Sequence, residues 1–202
     1  DPYNFRIINT SVEFGPPLIA WLKNNRPQIK KVGILAPNDA VGQSVATQMA
    51  DDYKKQGYEV VLDFFERGLK EFTPLILRMM AQKVDAFEFD GNSPGDVGLM
   101  VKQMRQAGFK GTLIQIGGPG IDEVIQIAGP HAEGYLSFDL FDWSTPAGQK
   151  LQEAYEKKYG KGIINAQMPA FYHITLLLAE AIKNAGSTDT DKVREPIRKT
   201  DG

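Results

Sequence analysis

The stretch from Lys30 to Phe65, KKVGILAPNDAVGQSVATQMADDYKKQGYEVVLDFF, decides the fold. Val32 to Leu35 is a short apolar, β-rich run of the kind that fills a strand buried on both faces. Asn38-Asp39 then opens a turn in which either side chain is suited to cap a helix, and Val45, Met49 and Tyr53 recur at four-residue spacing. Gly57 closes that helix, because glycine accepts the left-handed conformation of a C-terminal cap. Glu59 to Phe65 is a second strand. Strand, helix and strand in this order make a βα unit and imply a parallel sheet.

Working outward, the alternation continues through strands at Asp85 to Phe89 and Thr112 to Ile116. The helices between them are marked by Leu75, Ile76 and Met79, and by Leu99, Val101, Met104 and Ala107 before Gly108. Upstream, Phe14 to Asn25 reads as a helix opened by Gly15-Pro16-Pro17, and Tyr3 to Ile8 as a lone strand. After a last strand at Leu136 to Phe141, three helical patterns follow with no strand between them: Ala147 to Tyr159, Met168 to Ala185 and Asp191 to Lys199. The expected fold is α/β with two lobes. The alternation gives a nearly complete lobe from about Thr10 to Phe138 and a partial one from about Asp142 onward whose helices lack a sheet, with Tyr3 to Ile8 as a connection arriving from an absent part. Asp1 and Thr200-Asp201-Gly202 read as cuts, which puts any export signal upstream.

Composition removes several classes of function. The 202 residues include no cysteine, which excludes disulfide frameworks, thiolate nucleophiles and Cys-based zinc sites. A net charge of −2 without a basic run gives nothing that tracks a phosphate backbone, so nucleic acid is not an expected partner. The two histidines, His131 and His173, lie far apart and the acids are scattered, so no metal is expected. No apolar run reaches the roughly 20 residues that span a bilayer.

Gly91-Asn92-Ser93-Pro94-Gly95 matches the G-x-S-x-G nucleophile elbow between a strand and a helix. Pro94 opposes that chemistry, because the elbow uses the N–H after the nucleophile as an oxyanion donor and proline has none. Neither histidine is placed to act as its base, so no enzyme is expected. Gly117-Gly118-Pro119-Gly120 is either an anion cradle at a helix N-terminus or a tight turn, and it lacks the residues of a nucleotide site, so no cofactor is expected. Met79, Met80, Met100 and Met104 read as core filling, and Phe171 with Tyr172 as core or pocket wall. The polar turns at 38–44, 91–95 and 117–120 all follow parallel strands, at the edge where open α/β sheets bind ligands.

A set of ordered motifs carries a resemblance over nearly the whole chain. Tyr3-Asn4-Phe5-Arg6 comes first, then Lys31-Val32-Gly33-Ile34-Leu35 leading into Asn38-Asp39-Ala40-Val41-Gly42-Gln43-Ser44. Phe72-Thr73-Pro74-Leu75, Val84-Asp85-Ala86, the run from Lys102 to Gly108, Glu133-Gly134, Tyr172 and the run from Ala181 to Thr188 follow. With these the chain resembles the type I periplasmic solute-binding proteins of the branched-chain amino acid importer family. The resemblance implies two lobes joined by crossover strands: residues 1–9 as the first crossover strand, 10–138 as the second lobe, and 139–202 as the second crossover with the C-terminal helices of an incomplete first lobe. It also implies a small-molecule solute held in the cleft, an ABC permease in the membrane as partner, and a periplasmic or lipid-anchored location. The same fold serves ligand-sensing receptors, which a fused signalling domain would distinguish from transport.

Carried over by position, the resemblance puts ligand contacts at Val41, Asn92 and Gly117, with Ser93 and Gly118 in the same turns. Met168, Pro169 and Tyr172 are looser candidates for the wall of the other lobe. Amino-acid-binding members often hold a tyrosine, a tyrosine and an ammonium-binding glutamate where this chain has Val41, Asn92 and Gly117. All three differences imply a smaller, less anionic wall and a solute other than a simple α-amino acid, unless Asp39, Asp90, Asp122 or an acid of the absent lobe restores the charge.

Overall fold

The computed structural model describes residues 1–8, 11–89, 91–116, 120–138, 141–161 and 167–200, with residues 11, 12 and 14 as backbone only. In chain order the elements are α1 (Ser11–Asn25), β1 (Lys31–Pro37), α2 (Ala40–Lys55), β2 (Glu59–Phe65), α3 (Thr73–Met80), β3 (Ala86–Glu88) and α4 (Pro94–Gln106). They continue with β4 (Thr112–Gln115), α5 (Ile121–Ala128), a 3₁₀ turn at Gly129–Ala132, β5 (Tyr135–Ser137), α6 (Pro146–Tyr159), α7 (Met168–Ala185) and α8 (Thr190–Arg198). By its contacts the chain divides into two compact units, one made of Asp1–Asn9 with Phe141–Gly202 and the other of Thr10–Leu140.

The Thr10–Leu140 unit holds one sheet of five parallel strands in the order β2-β1-β3-β4-β5. Register is set by pairs such as Val32 with Val60, Ile34 with Glu88, and Glu88 with Ile114. Side chains alternate across a strand, so β1 feeds two cores. Val32, Ile34 and Ala36 join Ile19 and Leu22 of α1 and Met49 and Tyr53 of α2. Leu35 joins Ile76 and Met79 of α3 and Met100 and Met104 of α4 on the other face. Phe87 and Phe89 belong to that second core, where the Phe87 ring meets Phe109 edge-on at 4.9 Å. Helices thus cover both faces, which is why the strands read as unbroken apolar runs. The four methionines expected as core filling divide, with Met79, Met100 and Met104 buried and Met80 packed at the margin.

Helix ends follow the expected chemistry, with Gly57 at φ 91° and Gly108 at φ 89° just beyond α2 and α4. Tyr135 ties β5 to β4 through its phenol, which donates to Gln115 Oε1, and burial pushes that phenol well above its usual pKa.

Three expectations need correction. Helix α1 begins at Ser11, so Pro16 and Pro17 lie inside it and do not open it. Each proline removes an N–H donor and its ring crowds the carbonyl four residues back, at residues 12 and 13, so the pair strains the first turns of the helix. Secondly, Tyr3 to Ile8 forms no strand, because a strand needs a hydrogen-bonded neighbour and the described residues of its unit contain none. Tyr3 is held by its side chain: the phenol donates to the Asp191 carboxylate and the Arg194 guanidinium lies 5.2 Å from the ring centre. Last, the strand expected from Leu136 to Phe141 is three residues long, Tyr135–Ser137, because β4 offers a partner only as far as Gln115. Residues 139 and 140 lie outside the described ones.

Besides residues 1–8, the described part of the smaller unit consists of α6, α7 and α8 with the residues flanking them. Helix α7 carries the apolar residues expected of it, but among its described residues only Pro169 and Ala181 are buried.

Candidate solute-binding site

In the order β2-β1-β3-β4-β5 the chain leaves β1 for β2 on one side and then returns past β1 to β3 on the other. The turns that follow β1 and β3 therefore run in opposite directions, which opens a crevice at the carboxyl ends of these two strands. Three of the expected contacts lie on those two turns.

After β1, Asp39 is the N-cap of α2, and its Oδ1 accepts the Gly42 N–H at 2.9 Å. Val41 follows in the first turn of the helix and is 62% exposed, a large apolar side chain left facing solvent. Gly42 is buried against the end of β1, where a Cβ would stand 2.3 Å from the Pro37 carbonyl oxygen. That close approach holds Val41 at the sheet edge.

After β3, Asn92 is buried and its Nδ2 donates to the Leu35 carbonyl at 2.9 Å, pinning the β3 turn to the end of β1. Ser93 is the N-cap of α4: its Oγ accepts from Asp96 N at 3.2 Å and donates to Asp96 Oδ2 at 2.7 Å. Pro94 is the first residue of that helix, where a missing N–H costs nothing. The G-x-S-x-G match is a helix cap, with its hydroxyl engaged by a carboxylate. His131 sits in the 3₁₀ turn that leads into β5, at the amino-terminal edge of the sheet and so opposite Ser93.

Gly117 and Gly118 lie outside the described residues, as does Asp90. Tyr172 belongs to the other unit, where it is half-exposed near the start of α7 and meets His173 edge-on at 5.8 Å. Of its companions Pro169 is buried and Met168 partly exposed.

The turn after β2 adds a group that the sequence reading passed over. Arg67 donates from Nε to Asp39 Oδ2 and from Nη2 to the Gly91 carbonyl at 3.4 Å. Beside it, Asn38 donates to Glu66 Oε1 at 2.8 Å and accepts from Gln43 Nε2 at 2.6 Å. The Arg67 guanidinium, and after it the Gly42 N–H, hold the Asp39 carboxyl below its usual pKa. Asp122, in the first turn of α5, is shifted the other way by burial. The signal for Arg67 was available, since Glu66-Arg67-Gly68 also follows a parallel strand.

Among the described residues, the turns after β1, β2 and β3 offer an exposed valine, neutral backbone and acids already engaged by an arginine, an asparagine amide or a serine hydroxyl, with Asp122 and Glu123 beyond them in the first turn of α5. These turns can seat a small organic molecule through apolar and backbone contacts, and the Ser93 hydroxyl there is occupied in capping α4.

Similarity to known proteins agrees with this geometry. The chain is 28% identical to a leucine-, isoleucine-, valine-, threonine- and alanine-binding protein of Pseudomonas aeruginosa over 197 residues, 96% of this chain and 52% of the relative. A Leu/Ile/Val/Thr-binding protein of Salmonella typhimurium is 28% identical over 139 residues, 68% of this chain and 37% of that one. The chain thus spans about half or less of the length of these relatives. Among solved structures, a leucine-binding protein of Thermotoga maritima matches with a TM-score of 0.86 at 26% identity, over 96% of this chain and 56% of the other. A branched-chain amino acid transporter substrate-binding protein of Streptococcus pneumoniae, solved with isoleucine, shares the fold at a TM-score of 0.81 and 21% identity, over 96% and 55% of the two chains. The model of the periplasmic binding protein family matches residues 1–201, and the chain belongs to that family, in its type I, branched-chain amino acid branch.

Proposed function

We propose that this protein is the solute-binding component of an ABC importer. It captures a small organic solute, an amino acid or a related carboxylate or aromatic compound, and presents it to a membrane permease from outside the cytoplasm. The observation that carries the reading is the position of the Val41 and Asn92 turns on either side of the β1/β3 switch point, in a chain of this family. Val41 contributes an apolar contact, and the backbone of the two turns contributes hydrogen bonds. A desolvated ammonium needs a carboxylate close by. Asp39 is engaged by Arg67 and Asp96 by Ser93, so this wall receives the apolar part of the solute. The solute is therefore an apolar or aromatic carboxylate, or an amino acid whose ammonium is held by residues other than these. Residues 117 and 118 and Tyr172 are further proposed contacts, on the strength of the family resemblance.

No helix among the described residues is long and apolar enough to cross a membrane, which suits a binding protein that meets its permease at a surface. Binding involves no bond-making, in keeping with relatives named as binding proteins. The test is mass spectrometry of the small molecules released on denaturing the full-length protein purified under native conditions. An amino acid, or an apolar or aromatic carboxylate, is expected. A retained nucleotide or sugar phosphate would overturn the ligand class.

A further inference from the structure

Strand β2 lies at the margin of the sheet, hydrogen-bonded to β1 and separated by it from β3. Even so, the turn after β2 reaches both turns of the switch point. Arg67 donates Nε to the Asp39 carboxylate on the β1 turn and Nη2 to the Gly91 carbonyl at 3.4 Å on the β3 turn. A guanidinium is suited to this because its donors are fixed in one plane and point in different directions, so a single side chain bridges two acceptors without reorganising. Both partners of the Arg67–Asp39 pair are partly exposed, at 44% and 38% of the side chain, and such a pair contributes little to global stability. Its consequence is local: it fixes the separation of two turns and cancels the one charge of the β1 turn.

We propose that Arg67 is a positioning residue of the solute site, latching the 38–41 turn to the 91–93 turn and neutralising Asp39 so that the wall around Val41 selects against an ammonium. This rests on the solute-binding reading above. The carboxylate of Asp39 serves two donors through its two oxygens, Gly42 N–H at Oδ1 and Arg67 at Oδ2. Losing Arg67 therefore leaves α2 capped while releasing a negative charge beside Val41. A lysine in its place can pair with Asp39 but cannot also span to Gly91.

Two measurements on the full-length protein test this. In hydrogen–deuterium exchange without added solute, Arg67→Gln is expected to speed exchange several-fold at residues 38–43 and 91–93, leaving the thermal midpoint unchanged. Arg67→Lys is expected to restore the slower rates at 38–43 alone. Unchanged rates in both turns of Arg67→Gln would overturn the latch. In calorimetry with leucine and with 4-methylpentanoate, which lacks the ammonium, Arg67→Gln is expected to shift the ratio of affinities several-fold toward leucine. Adding Asp39→Asn should reverse that shift. An unchanged ratio with measurable binding would overturn the charge role. If neither probe binds the wild type, selection against the ammonium of a branched aliphatic solute is overturned, and the exchange rates still decide the latch.

Discussion

Replacing Gly42 with alanine separates two reasons for a glycine. Its φ is not in the left-handed region, so backbone freedom does not explain it. Space does: an added Cβ would lie 2.3 Å from the Pro37 carbonyl oxygen and 2.9 Å from Pro37 Cδ. A carbon and a carbonyl oxygen normally approach no closer than about 3.3 Å, so the start of α2 must retreat from β1 by about 1 Å. Overpacking of this kind costs about 1–3 kcal/mol, and alanine returns at most about 1 kcal/mol in helix propensity. A clash of 2.3 Å against backbone belongs in the upper part of that range, about 2–3 kcal/mol, so the net expectation is a loss of about 1–2 kcal/mol in urea unfolding followed by circular dichroism. Because Val41 precedes the displaced residue, solute affinity should fall as well. A Gly42→Ala protein as stable as the wild type, or more so, would refute the close packing that positions Val41.

Other substitutions probe the same edge and the sheet beneath it. Ser93→Ala removes the cap of α4 and should cost about 1 kcal/mol in the same unfolding assay. Neither wild type nor variant should hydrolyse an activated ester, and turnover lost on the substitution would contradict the cap reading. Asp39 has a pKa below its usual 3.8, so its contribution is complete above that value and is lost as the pH falls through the lowered one. An NMR titration of the Asp39 carboxyl carbon should accordingly place its midpoint below 3.8 in the wild type and closer to that value in Arg67→Gln, and equal midpoints would contradict the pairing. Tyr135→Phe leaves the buried Gln115 amide without its phenol donor and should cost about 1–3 kcal/mol, measured as a shift in denaturant midpoint.

Much of the sheet was legible because buried parallel strands are written as local apolar runs. Glu59–Phe65 and Met168–Ala185 have the ends that periodicity assigns them. Boundaries set by a neighbour were not legible. β1 extends to Pro37 because Phe65 of β2 lies beside it, and β5 stops at Ser137 because β4 stops at Gln115. Tyr3 to Ile8 has strand composition without a described strand to pair with, and composition alone cannot supply one. At the candidate site, the chemistry of Ser93 could be anticipated from the adjacent Pro94. What occupies Asn92 could not, since its partner, the Leu35 carbonyl, is distant in sequence. Arg67 escaped for a similar reason: its meaning comes from reaching Asp39 and Gly91, on two other turns.

The central claim is that a small organic solute is held at the carboxyl ends of β1 and β3, against Val41. Calorimetric titration of the full-length protein and its Val41→Glu variant with leucine, isoleucine, valine and a set of aliphatic and aromatic carboxylates tests it most directly. Val41 is exposed, so the substitution should leave the unfolding midpoint unchanged. The account predicts micromolar or tighter binding of at least one compound to the wild type and a loss of about tenfold or more in the variant. Equal affinities in the two proteins, or no binding of any compound to the wild type, would contradict it.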